Sequence, residues 1–285
     1  IKLIVSFGAG GGSDIVSRII AQRLQERLGQ PVIIENRPGA GGLIGNEAVA
    51  HAAKDGYTIA NMSAGQIIAS VMTKQPKFDT LTAFDPILQV AEAGLLIVTR
   101  TDYPAKSIKE LVELAKAEPD KIVFASPGFG ATQHLAAELF MQVAGIKMRH
   151  VPFRTSPDAI TALLGKQVDV LFDTVTALIG QVQAGEVRAL AVTGKDRFPA
   201  VSSVPTVGES GVMPGYDVST WYGFFGPRGM PPAVVQRLNK EMNEIIKEPA
   251  VAERLAKVGV VVKGSTPEAF GKMLASEHAK WDAVR

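Results

Sequence analysis

One arrangement occurs twice in this chain: an apolar strand runs into a glycine-rich loop that opens an amphipathic helix. The first copy is LIVSFGAGGGSD (Leu3 to Asp14) and the second is IVFASPGFGATQH (Ile122 to His134). Glycines at such a junction let the backbone turn tightly and leave the free N–H groups of the helix's first turn open to an anion. Two half-sites of this kind imply an anion gripped between two lobes.

Around these loops the chain alternates strand and helix. Lys2 to Phe7 reads as a core strand, followed by a helix face of Ile15, Ile19, Ile20, Leu24 and Leu28 that Gly29 ends. Pro31 to Glu35 is the next buried strand, and a β-α-β start of this kind implies a parallel sheet with right-handed crossovers. A second turn-rich loop, Asn36 to Gly45, leads to a helix through Ala53 and a strand from Tyr57 to Met62. Ser107 with Glu110 reads as a capping box. Ser156 with Pro157, and Thr266 with Pro267, read as N-caps followed by a first-turn proline. Val168 to Phe172 and Arg188 to Thr193 are short buried strands. Leu95 to Arg100 is an apolar strand, and Leu95 and Phe224 are expected near two crossings between lobes, with the C-terminal helices returning to the first lobe.

Bulk properties remove several function classes. Thirty basic against 28 acidic residues give a net charge of +2, without the basic stripe of a nucleic-acid or membrane-surface protein. Cysteine is absent, which excludes thiolate metal centres, disulfides and cysteine nucleophiles. No run of 18 apolar residues occurs, so the chain reads as soluble rather than membrane-spanning. It begins on a core strand at Ile1, and a leader is expected to have been removed ahead of it, or the chain trimmed there.

The first loop admits three readings. Gly8 to Ser13 follows a strand, opens a helix and has Glu35 at the end of the next strand, as a dinucleotide fingerprint would. The match is partial: the third glycine falls on Ser13, and Asp14 sets a carboxylate where a pyrophosphate would lie. Glycines that only allow close strand–helix packing are the second reading, and a mononucleotide P-loop, which lacks its Gly-Lys-Ser/Thr ending here, is the third. In the second loop Ser126, Thr132 and His134 flank Gly128 and Gly130, a set of hydroxyls, backbone donors and an imidazole that suits a carboxylate. Thr132 as a plain helix cap and His134 as a surface residue are the alternative. His134 and Glu138 lie one turn apart without a third metal ligand. No Gly-x-Ser-x-Gly elbow occurs, and Ser210 in GESG reads as a turn residue. Asp173 stands just beyond a strand's C-terminal end, where open α/β sheets place their ligands.

FGAGGGSD, ENRPGAGGLIG (Glu35 to Gly45), DGYT (Asp55 to Thr58), ASPGFGATQHLAAELF (Ala125 to Phe140), HVPF (His150 to Phe153), QVDVLFD (Gln167 to Asp173), GEVRALAVT and VPTVGESG together resemble the tripartite tricarboxylate transporter substrate-binding receptors, the Bug family. The resemblance covers essentially the whole chain, in order. It implies a type II periplasmic binding protein: two α/β lobes, each a mostly parallel sheet flanked by helices, joined by two crossing strands. Lobe 1 is expected at residues 1–98 plus 221–285 and lobe 2 at 99–220, with the ligand cleft between them.

The same resemblance implies no catalysis, no cofactor and no metal, but capture of a small organic mono- or dicarboxylate, aromatic ones included, largely through main-chain N–H groups. Carried over by position, the first-lobe contacts are Phe7, Gly10, Gly11, Gly12, Ser13 and Asp14, with Ser63 and Gln66 at a strand end. The second-lobe contacts are Ser126, Gly128, Gly130, Ala131, Thr132, His134, Phe153, Arg154, Asp173 and Thr174. Asp14 and Asp173 are expected to orient loops, donors or waters rather than meet the ligand's charge. Implied partners are the integral membrane subunits of a transporter, or a sensor protein, with the receptor itself a periplasmic monomer that binds no nucleic acid. Two departures from the family pattern stand out. Gly8, Ala9 and Gly12 occupy a loop that commonly contains proline, and the frequent Tyr-Lys-Gly after Val-Pro is here Phe153-Arg154-Thr155. Arg154 offers a planar fork for a second carboxylate, or is a solvated charge at a lobe edge.

Overall fold

A computed structural model describes residues 1–72 and 78–282. Strand β1 (Lys2–Val5) leads through helix α1 (Gly12–Leu28) to β2 (Ile33–Asn36), α2 (Leu43–Ala50), β3 (Thr58–Ser63) and α3 (Ala64–Met72). β1 pairs in parallel with both β2 and β3, so it sits in the middle of the triplet. The long β4 (Phe84–Arg100) follows, then α4 (Ile108–Ala117), β5 (Val123–Ser126), α5 (Thr132–Ala144), β6 (Arg149–Pro152), α6 (Ser156–Leu164), β7 (Val170–Thr174), α7 (Val175–Gln183) and β8 (Val187–Val192). β5 again pairs in parallel with the next two strands, β6 and β7. Each triplet therefore has its first strand at the centre. The loop leaving that strand sits where neighbouring connections diverge, the crevice in which open α/β sheets bind ligands.

The chain closes with β9 (Ser219–Pro227), α8 (Pro232–Ile245), α9 (Pro249–Lys257), β10 (Val261–Val262) and α10 (Pro267–Asp282). β9 runs antiparallel between β3 and β4. β4 joins the two sheets: through Gly94 it pairs with β9, and from Leu95 onward it pairs with β7 and β8. Leu95 and Ile97 pack in one core with Phe124 and Leu111, while Leu96 and Val98 pack on the opposite face with Ala159 and Leu163. Burial on both faces is why this stretch reads as a continuous apolar run. The first half of β4 is less legible, because Asp85, Gln89 and Glu92 interrupt it and Pro86 sits at a register shift.

The C-terminal helices lie on the first sheet. Val235, Leu238 and Met242 of α8 share a core with Leu3, Val16, Ile20 and Leu24, and Phe270 and Leu274 of α10 share one with Ile4, Ala60 and Met62. Two caps differ from the sequence reading. Glu110 accepts from the Lys106 N–H rather than that of Ser107, so Ser107 caps α4 without the reciprocal half of a capping box. Thr155, not Ser156, caps α6 by accepting from Asp158 N–H. A proline fits any of the first helical positions, so Ser156-Pro157 shifts by one residue without strain and leaves the Ser156 hydroxyl to face Asp173 rather than to cap the helix.

Candidate ligand-binding cleft

The two glycine loops have nearly the same geometry. Gly10 and Gly130 both take positive φ, 81° and 77°. Gly11 N–H turns back to Gly8 carbonyl, and Ala131 N–H to Gly128 carbonyl, both at 3.4 Å. A side chain in the following helix then pins each loop: Asp14 Oδ2 accepts from Gly10 N–H at 3.0 Å, and His134 Nδ1 accepts from Gly130 N–H at 3.1 Å. Neither α1 nor α5 has a side-chain cap, since Gly11 and Ala131 hold the cap positions. Their first-turn N–H groups are left for another acceptor.

Those helix ends face one cavity. Its walls are Phe7, Gly8, Gly11, Gly12 and Ser13 from the first loop, Ser63 at the start of α3, Pro127, Thr132 and Gln133 around the start of α5, Thr155 and Ser156 at α6, Thr174 at α7, and Thr220 and Tyr222 of β9. Five helix N-termini among the described residues thus reach one space, each carrying partial positive charge, and no charged side chain lines it. The space is a narrow throat of about 20 Å³. That is close to the room one water needs, so it suits a single carboxylate group. Outside it lies a vestibule of about 450 Å³, sharing Phe7 and Pro127 and lined also by Pro38 to Gly42, Gly128, Phe129, Pro152, Phe153 and Arg154. Arg154 is exposed there, and Phe129 is 68% exposed.

The walls meet through glycine. A Cβ on Gly65 would stand 2.9 Å from both the backbone N and Oγ1 of Thr132; one on Gly8 would stand 2.5 Å from Thr155 Cγ2 and 2.8 Å from Arg154 carbonyl oxygen. Neither glycine has positive φ. It is therefore the opposite wall, not the local backbone, that demands glycine at these two positions.

Charges lie behind the walls rather than on them. Asp14 is buried, and its carboxylate accepts from Gly10 N–H, Arg18 Nε and Asn36 Nδ2. Burial opposes its charge, but Arg18, Gly10 and Asn36 outweigh burial and hold its carboxyl below the usual value. Because Gly10 N–H is taken by Asp14, it is not free for a pyrophosphate. Asp173 is fully buried and accepts at Oδ1 from Thr174 N–H at 2.7 Å and Gln133 Nε2 at 3.3 Å. Burial pushes its carboxyl up to about 6, against the opposing pull of Ser156, Thr174 and Gln133. Tyr222 is also raised by burial, against the opposing pull of Thr174 and Thr176, so its phenol keeps its proton.

Under the second loop four rings stack: Phe129 on His134 at 4.7 Å, His134 on His150 at 4.1 Å, and His150 on Phe124 at 4.7 Å. Since His134 Nδ1 accepts from Gly130, its proton sits on Nε2, 3.3 Å from Glu138. Burial lowers His134 against the pull of Glu138, and burial with the neighbouring His134 lowers His150 to about 4. Both imidazoles are neutral at pH 7. The buried Ser126 hydroxyl lies 3.1 Å from Gly128 carbonyl, to which it donates, and 2.8 Å from His150 Nε2.

Of the residues singled out from sequence, Phe7, Gly11, Gly12, Ser13, Ser63, Thr132 and Thr174 line the throat, and Gly128, Phe153 and Arg154 line the vestibule. Thr132 does so because Ala131 takes the cap position. Gly10, Asp14, Gln66, Gly130, Ala131, Ser126, His134 and Asp173 form the layer behind. Gln66 Oε1, for instance, accepts from both the backbone N–H and the hydroxyl of Ser63. Sequence reasoning missed Thr155, Ser156, Thr220, Tyr222 and the stretch Pro38 to Gly42. The last carried a signal in NRPGAGG, a glycine loop after β2; the two β9 residues carried none, being spaced like any strand's inward face.

The family model for the tripartite tricarboxylate transporter family receptor matches residues 16–285. BugT of Bordetella pertussis is 33% identical over 286 residues, covering 100% of this chain and 87% of BugT. The structure of periplasmic binding protein BugD is 36% identical with a TM-score of 0.95, over 100% of this chain and 95% of that one. Two Rhodopseudomonas palustris structures are similarly close: one with adipate (31% identical, TM-score 0.94, 100% and 95% covered) and MatC with bound malate (30%, 0.94, 100% and 98%). The two-lobed type II fold implied by the sequence is the fold of these periplasmic binding proteins.

Proposed function

The chain belongs to the tripartite tricarboxylate transporter receptor family, a family of solute-binding receptors, and from that premise we propose that its cleft captures a small organic carboxylate by closure of two lobes. The observation that carries this reading is the convergence of five helix N-termini on a throat lined by hydroxyls, one amide, backbone, Phe7 and Pro127, with no charged side chain. Such a surface favours an anion through partial charges and N–H donors, and its narrowness fits one carboxylate. The adipate and malate found in the two relatives are carboxylates of this size.

Lobe 1 is taken as 1–98 with 221–285, of which 283–285 lie outside the described residues, and lobe 2 as 99–220. Donors at α1 and α3 belong to the first lobe, those at α5, α6 and α7 to the second, so a carboxylate in the throat bridges them and favours the closed arrangement. The ligand's remainder extends into the vestibule, where Phe7, Phe129 and Phe153 accept an apolar or aromatic body. Arg154 holds a second carboxylate there. The receptor acts as a monomer in the periplasm, after removal of a leader, and hands its ligand to the membrane subunits of a transporter or signals to a sensor protein.

A thermal-shift and calorimetric panel of carboxylates, from acetate through malate and adipate to aromatic diacids, tests this reading against nicotinamide and flavin dinucleotides. At least one carboxylate is expected to bind with one-to-one stoichiometry and no dinucleotide to bind. A dinucleotide shift without any carboxylate shift would sink the receptor reading.

A further inference from the structure

We propose that Asp173 is a proton-binding residue of the cleft, so that a carboxylate anion is captured together with one proton held on the Asp173 carboxyl. This rests on the carboxylate reading above and adds a second, smaller ligand to the same site.

Asp173 is the penultimate residue of β7, directly behind three throat residues, Gln133, Ser156 and Thr174. The groups facing it are Gln133 from α5, Ser156 from α6, Thr174 from α7 and Tyr222 from β9; no cation stands among them. Tyr222 is the one other titratable group of that set, and burial keeps it neutral. Oδ1 already accepts two N–H bonds, while Oδ2 has no hydrogen-bond partner. A proton therefore belongs on Oδ2.

The energetics follow from like charges in a dry space. An ionised Asp173 without water or a cation is costly, and burial alone has already lifted it towards neutrality. A ligand carboxylate in the throat puts a second negative charge on the other side of the lining residues Gln133, Ser156 and Thr174. Two carboxylates so placed cannot both stay ionised cheaply, and the helix N-termini that favour the ligand's charge are shared between the two. The proton goes to Asp173, whose environment is the drier of the two. Free Asp173 is mostly ionised at pH 7 and the bound form is protonated, so binding takes up a proton and weakens as pH rises.

Calorimetry with adipate and malate, or otherwise the panel member giving the largest thermal shift, counts this proton when run at pH 7.0 in two buffers of different ionisation enthalpy. Uptake approaching one proton per ligand is expected. Affinity is expected to fall by close to tenfold per pH unit between pH 7.0 and 8.5, a window in which His134 and His150 are already neutral. Asp173→Asn keeps the Oδ1 acceptor and carries a neutral group in place of Oδ2; it should bind with no proton uptake and with affinity flat across that window. A purely structural role predicts the opposite pattern, weaker binding in the Asn variant with the wild-type pH slope retained. If the variant does not fold, the wild-type proton count decides by itself. Carboxylate binding with no proton uptake and flat affinity overturns this inference while leaving the carboxylate reading intact; no binding by any panel member at pH 6.0 or 7.0 overturns both.

Discussion

The glycine loops after β1 and β5 are the same turn held by different chemistry. Each has a positive-φ glycine, a backward N–H bond and an uncapped helix. The first is pinned by Asp14, a carboxylate kept charged by Arg18 and Asn36; the second by His134, an imidazole kept neutral by burial in a ring stack. The first loop also faces the throat with backbone, Phe7 and one serine, whereas the second half of the site supplies Thr132, Gln133, Ser156 and Thr174. Backbone donors recognise a charge without reading what carries it, while side chains of fixed shape discriminate. On the proposed reading, the half of the site around the first loop is the general anion holder and the half around the second loop the selective one.

The largest expected effect breaks the meeting of the two halves. Gly65→Ala places a methyl group against Thr132 on a helix that alanine otherwise favours, and Gly8→Ala places one against Thr155 and Arg154. Overpacking of this kind costs about 1–3 kcal/mol, so carboxylate affinity should drop roughly ten- to hundredfold. Circular dichroism and the melting temperature of the unliganded protein should barely change, because the obstruction exists only when the walls meet. Unaltered affinity in both variants would separate the glycines from closure.

Next in size is the removal of a hydroxyl from the selective half. Thr132→Ala should cost about 1.5 to 3 kcal/mol in carboxylate binding, the worth of a hydrogen bond to a charged group. Ser126→Ala acts only through the shape of the loop and the neighbouring His150, so its loss should be smaller. Titration calorimetry on both variants checks the ranking, and a greater loss for Ser126 would reverse the placement of the two.

The pins should separate under acid. A histidine with a depressed folded-state value stabilises the fold above its ordinary 6.5, and that contribution is lost as pH falls; protonated Nδ1 no longer accepts from Gly130. Asp14 lies below 3.8 and keeps its hold on Gly10 until stronger acid. As pH falls below 6.5, amide exchange at Gly130 should accelerate more than at Gly10. Parallel acceleration would mean the pins are equivalent. The smallest effect belongs to the vestibule: Arg154→Ala should weaken a dicarboxylate by about 1 kcal/mol, as an exposed charge contact would, and leave its monocarboxylate analogue unchanged. Equal losses for both would remove Arg154 from the distal end.

Much of this asymmetry was legible in the sequence, because it resides in local patterns. Glycine loops after apolar strands, Gly29 as a helix stop and Thr266-Pro267 as a helix start each fix a short stretch of backbone through sterics or one hydrogen bond. Long-range pairing was not legible. The first half of β4 is a strand because β9 lies beside it, and Thr220 and Tyr222 reach the throat because β9 returns from the far end of the chain. The resemblance placed Ser126 and His134 at the ligand, whereas the structure engages both in hydrogen bonds that shape the loop, since a strand-end position does not reveal which acceptor its side chain meets first.

The central claim is a single carboxylate held by both loops at once. Amide chemical-shift mapping during an adipate or malate titration tests it most directly. Gly12 and Ser13 at the start of α1 and Thr132 and Gln133 at the start of α5 should shift together, with one common affinity. Shifts confined to one of the two loops, or two sets that saturate at different ligand concentrations, would contradict it.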